Sequence, residues 1–145
     1  MNKVYGIMML VIFLLASCNR EAEPLSYGKD SCEHCKMTIM DNKYGAEVVT
    51  VKGKVFKFDA AECMVDYLKA DPQKLNNPKD LFLTVNVAAP GDLTDARTAF
   101  FLNDKAFKSP MGANIASFTS RQLAEINLQS ADGVIYTWDE FLQTR

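Results

Sequence analysis

Histidine occurs once in this chain of 145 residues and tryptophan once. A single histidine rules out a histidine-built metal centre and leaves His34 as the only imidazole available for base catalysis. No basic excess exists either: 16 Lys and Arg stand against 18 Asp and Glu, a formal net charge of −2. A nucleic-acid-binding domain would carry a basic surface, so that class is set aside and no nucleic-acid partner is expected. No apolar run reaches the ~20 residues a comfortable transmembrane helix needs. No low-complexity linker follows Pro24. Aromatic residues make up 10% and charged residues 23%, which does not suit a disordered chain. At this length the chain is one domain or two very small ones.

The hydrophobic fraction of 48% is unevenly spread, because residues 4–14 hold much of it in one block. Lys3 precedes that block, and Leu15-Ala16-Ser17-Cys18 closes it. A positive start, an apolar stretch of this length and small residues before the cleavage point read as a secretory signal over residues 1–17. A cysteine directly after Leu-Ala-Ser makes the closing segment a lipobox. Cys18 is then the acylated first residue of a lipoprotein, with residues 18–29 as anchor and tether. The expected location is the cell envelope, membrane-anchored and facing the periplasm. Asn19 in place of the aspartate that retains enterobacterial lipoproteins at the inner membrane favours the outer membrane.

In the remaining chain, 46–51 reads as a β-branched strand, 52–54 as a turn and 55–58 as its hairpin partner. Asp59 is placed to cap a helix over 60–70, with Cys63, Met64, Tyr67 and Leu68 on its apolar face. Pro72 and Asn76-Asn77-Pro78 end it, and 81–87 is the clearest strand. The second half repeats the grammar: strands over 98–102 and 114–118, then a helix to about 129 capped by Thr119 or Ser120. A strand over 134–138 follows, and Asp139 caps a final helical turn. The expected fold is α+β: two ββαβ units, over 30–90 and 91–145, with mostly antiparallel strands. Met40 and Met64 are expected in the core.

Chemistry concentrates in Cys32-Glu33-His34-Cys35-Lys36-Met37-Thr38-Ile39-Met40. Cys32-x-x-Cys35 has the spacing of a thioredoxin-like redox pair, but neither a strong preceding strand nor a helix start accompanies it. A structural zinc site would need Cys63 or His34 as further ligands, and His34 sits awkwardly between the two cysteines. A soft-metal site on Cys35-x-Met37 explains the methionine as well. Thiolate and thioether donors both select Cu(I) over hard ions. In an extended segment residues i and i+2 point to one side, so Cys35 and Met37 could grip one ion.

Cys35-Lys36-Met37, Phe58-Asp59 with Cys63-Met64, Thr94-Asp95-Ala96 and Ser109-Pro110-Met111-Gly112 stand in one order behind the lipobox. In this the chain resembles the NosL family, copper-binding lipoproteins that support nitrous oxide reductase maturation. The resemblance covers roughly residues 30–145. It implies a fold related to organomercurial lyase, one Cu(I) held by Cys35 and Met37, and a carboxylate at the place of Asp95 tied to the site. Many relatives have glycine where Lys36 stands, and a bulky residue where Leu93 or Thr94 stands.

The expected metal-binding residues are Cys35, Met37, Asp95, Met111, His34 and Cys32. His34, Met111 and Asp95 have plainer alternatives as an exposed neighbour, a core residue and a surface or capping carboxylate. Cys32 is a second thiolate, a disulfide partner of Cys35 that would block loading, or a spectator. Cys63 reads as a buried free thiol by default, with a ligand role as the alternative. No nucleophile–base pair or carboxylate pair points to catalysis, so a non-enzyme is expected, a monomer or weak dimer. The expected function is a Cu(I) chaperone for nitrous oxide reductase. A thiol–disulfide reductant that prepares a copper site, or a zinc-stabilised interaction lipoprotein, is the alternative.

Overall fold

Valine and phenylalanine at 48, 49, 55, 56 and 58 build a hairpin of β1 (Ala46–Val49) and β2 (Val55–Phe58) in a computed structural model that describes residues 20–145. The export signal and the Cys18 lipidation site lie outside the described residues. Gly53 turns the hairpin at φ 79°, a left-handed conformation that glycine adopts without a Cβ clash. Helix α1 (Ala61–Lys69) follows and buries Ala61, Cys63, Met64, Val65 and Leu68. A short α2 (Pro72–Leu75) is capped by the Asp71 side chain, which accepts from Gln73 N at 3.0 Å. Strand β3 (Leu81–Val85) then returns antiparallel to β1, and β4 (Leu93–Asp95) adds to its outer edge.

The second half repeats the plan. Strands β5 (Phe100–Asn103) and β6 (Ile115–Phe118) pair antiparallel, α3 (Arg121–Ile126) follows, and β7 (Val134–Tyr136) returns to β5. The sheet orders are β2-β1-β3-β4 and β6-β5-β7. In each the first strand of the hairpin is central, and the strand after the helix takes its other edge. The fold is α+β, with antiparallel sheets and few helices. Among the described residues no helix is long and apolar enough to cross a membrane.

The sheets meet where Val87 N donates to Ser117 O at 2.9 Å and the Thr84 and Ser117 hydroxyls share a hydrogen bond at 2.8 Å. Helix α4 (Trp138–Gln143) seals the join. Trp138 touches Phe82 of the first sheet and Phe101 of the second, with ring centroids 5.8 and 5.9 Å apart, and Phe101 stacks on Phe141 at 4.5 Å. Burying each such aromatic contributes about 1.5–3 kcal/mol. The 20–30 segment covers the other face of the first sheet, with Leu25 buried and Glu23 N donating to Glu47 Oε1 at 2.9 Å. That cover explains why all four residues of β1 are buried rather than alternating.

Several boundaries differ from the sequence expectation. Asp59 does not cap α1: the N-cap is Ala60, with no side-chain cap bond. Thr137, not Asp139, caps α4, in a capping box with Glu140. Strand β4 was not expected; three residues carry too little pattern, and pairing with β3 supplies the order. It lies past residue 90, so the first sheet extends beyond the expected unit boundary. Met40 is not core but 70% exposed, because it alternates with Ile39, which is fully buried.

Candidate metal centre

The turn holding Cys32 and Cys35 is closed by its own backbone and fastened to β2. Cys32 N donates to Met37 O at 2.8 Å and Lys36 N to Cys32 O at 3.0 Å, while Glu33 N donates to Lys57 O at 2.8 Å. Ile39 is the apolar anchor beneath. Lys36 turns the chain at φ 64°, a left-handed conformation unusual for a side chain with a Cβ. The segment is therefore not extended, and the expected one-sided projection of Cys35 and Met37 does not apply. Cys35 is half-buried and Met37 is 47% exposed. The Lys36 ammonium pairs with Glu33 at 3.4 Å, both exposed; such a pair adds little stability.

Strand β2 ends directly beneath this turn. Because Ala60 rather than Asp59 caps α1, the Asp59 carboxylate is left for the cysteines: Cys35 Sγ donates to Asp59 Oδ2 at 3.5 Å. Cys63, in the first turn of α1, brings a third sulfur. The ligand atoms of Cys32, Cys35, Asp59 and Cys63 all lie within 4.8 Å of one another. Three of the four residues are buried, and Cys35 stands at the opening. The three thiols are free. Asp59 Oδ1 is buried with no hydrogen-bond partner. A buried oxygen left so is costly, and a cation would satisfy it.

The thiols are electrostatically unequal. Cys32 is pushed down to about 6, chiefly by the hydrogen bond from the Cys63 thiol; burial opposes this, and the Asp59 and Cys35 backbone N–H groups assist. Cys63 is held well above the usual thiol range by giving its proton toward Cys32, then by burial and by Asp59. Cys35 is raised by burial first, with the Cys32 and Asp59 charges adding. One thiolate and two protonated donors form a preorganised sulfur cup that releases protons when a metal enters.

Of the expected residues, the structure brings Cys32 and Cys35 together. Met37 belongs to the same turn, where its carbonyl accepts from Cys32 N and its side chain is half-exposed. Met111 is 42% exposed, but its loop is tied beside Cys63, since Ser109 Oγ donates to the buried Glu62 at 2.5 Å. His34 is exposed and outside the cluster. Asp95 is exposed on β4, and its Oδ1 accepts from Arg97 N at 2.9 Å. Asp59 takes the carboxylate place in the cluster. By sequence Asp59 reads as a cap, and Cys63 as a buried thiol with a ligand role only as the alternative. The signal available was their four-residue spacing across a strand-to-helix junction.

Residues 26–144 match the family model for NosL. The crystal structure of the copper chaperone NosL from Shewanella denitrificans is similar at a TM-score of 0.72 and 22% sequence identity, over 88% of this chain and 99% of that one. At that identity the likeness establishes the fold. No curated protein matches the chain.

Proposed function

The chain belongs to the NosL family, and we propose that it is a copper chaperone that carries Cu(I) to nitrous oxide reductase during that enzyme's maturation. The observation that carries this reading is the cup of three thiols around Asp59, buried except at Cys35. Soft sulfur donors select Cu(I), which accepts two or three ligands. Cys35 is the sulfur nearest solvent and so the first to meet an incoming ion and the last to leave it. Met37 adds a neutral thioether at the rim, which collects the ion without adding charge. Cys32 and Cys63 hold the ion below. Transfer proceeds by ligand exchange through Cys35, with an acceptor sulfur or imidazole replacing the buried thiolates one at a time. The role needs no bond-making chemistry on the acceptor, so none of these residues is assigned a catalytic part.

The lipobox supports attachment to the periplasmic face of the cell envelope through lipid on Cys18, with the outer membrane favoured by Asn19. One observation favours a second reading. Three cysteines and a carboxylate are also a four-donor set of the kind that closes around zinc. The functional test is anaerobic transfer. The copper-loaded chain is mixed with copper-free nitrous oxide reductase, the two are separated, and copper and enzyme activity are measured. Copper must move to the enzyme, and with sulfide supplied activity must appear. Retention of the copper by the donor contradicts the chaperone role.

A further inference from the structure

The first sheet and α1 give the molecule two unlike ends. Strand β2 runs from the 50–54 turn to Asp59, and α1 runs back from Cys63 toward Tyr67 and α2. The metal site occupies one end. The other holds an open groove of about 360 Å³, floored by Val48, Phe56 and Tyr67 and rimmed by Lys52, Lys54 and Lys74. Two of these amines rest on the floor's own rings: Lys54 Nζ lies 4.4 Å from the Phe56 centroid and Lys74 Nζ 4.2 Å from Tyr67. Lys79 and Arg20 belong to the same end, for Arg20 hydrogen-bonds the Lys79 carbonyl and the adjacent Asp80 accepts from Val51 N.

Acidic groups offset this charge only in part. Asp80 is buried and also accepts from Asn77, Asp71 caps α2 and lies 3.9 Å from Lys74, and Glu21 follows Arg20. Five cations against three carboxylates leave this end positive in a chain of net charge −2. Arg20 also follows Cys18 by two residues, so the segment carrying the lipobox joins the domain here.

We infer that this basic end is a docking face for an anionic bilayer surface. The inference rests on the membrane tether proposed above. Positive charge and chain entry coincide at one end, and a tether two residues from Arg20 brings those lysines to the headgroups. Each lysine near such a surface strengthens binding about fivefold. The strands are perpendicular spacers in this arrangement. Four residues of β1 at about 3.4 Å each hold the cysteine cup roughly 10–15 Å further from the membrane. Cys35 and Met37 then open toward the aqueous compartment, where a soluble acceptor can reach them.

The test uses the full lipidated chain on two sets of vesicles, phosphatidylcholine alone and phosphatidylcholine with phosphatidylglycerol. Lysines are acetylated briefly and each is quantified by mass spectrometry. Lys52, Lys54 and Lys74 should react at least about fivefold more slowly on the anionic vesicles, with Lys36 and Lys105 unchanged. The combined Lys52→Gln, Lys54→Gln, Lys74→Gln variant should still melt as the parent does but lose the protection of Lys79. A chain that floats with both vesicles and labels identically on each overturns the docking face while leaving the tether intact. A chain that floats with neither overturns the tether and the inference with it.

Discussion

The Cys35 thiol donates to Asp59 Oδ2 at 3.5 Å across 24 residues of chain. A hard carboxylate therefore stands inside a soft sulfur cup, and the two donor types divide the metals they favour. Asp59→Asn keeps the shape and removes the anion. We predict that Cu(I) affinity changes by less than about threefold while Zn(II) affinity falls at least about tenfold. Parallel titrations against chelators for each metal measure this. An equally steep loss for Cu(I) would make the carboxylate a copper ligand and remove the softness argument.

Met37 offers a cleaner separation of binding from folding. Its side chain is 47% exposed, so Met37→Ala should leave the unfolding free energy from urea titration within about 0.5 kcal/mol of the parent. On the proposed role, Cu(I) affinity should nevertheless drop by about tenfold, as expected when a soft thioether donor is removed. An unchanged affinity would make Met37 a surface residue and nothing more.

Lys36 sits at φ 64°, where a Cβ is strained. Lys36→Gly should raise stability by about 0.5–1 kcal/mol, the relief of a left-handed residue less the added freedom of the unfolded glycine. Urea unfolding reads the change. A destabilised variant would show that the Lys36–Glu33 pair outweighs the backbone strain.

Glu47 gives a pH test remote from the metal. It is fully buried beneath the 20–30 segment, and its Oε2 has no partner. Burial, above all, raises its carboxyl over the ordinary value. The folded state therefore favours the protonated form. That contribution is fully present below the unfolded value of about 4.3 and is lost as pH rises through the folded value. Glu47→Gln should melt with the parent at pH 4 and above it at pH 8. Equal differences at both pH values would contradict the assignment.

The ββαβ plan was legible because it rests on local signals. Val55 to Phe58 is mostly β-branched and aromatic, Leu81 to Val85 is a β-prone run, and Ser120 stands where the α3 cap is found. What the sequence hid was long-range. Asp59 before a helix reads as a cap by every local rule, and only the pinning of Glu33 to Lys57 reveals that its carboxylate faces cysteines instead. Cys63 on an apolar helix face reads first as a core thiol, and its ligand reading gains weight only when the turn bearing Cys32 lands on it. Asp95 follows the reverse course: its place in a motif suggested the metal, and its side chain takes the capping role that was its plainer alternative.

The measurement that bears most directly on the central claim is an anaerobic Cu(I) titration of the reduced chain against a competing chelator, run beside Cys35→Ala and Cys63→Ser. The account predicts one equivalent bound more tightly than micromolar by the parent and a loss of at least about tenfold in each variant, as expected when a soft ligand is removed. Binding weaker than micromolar, or variants that bind like the parent, would contradict it.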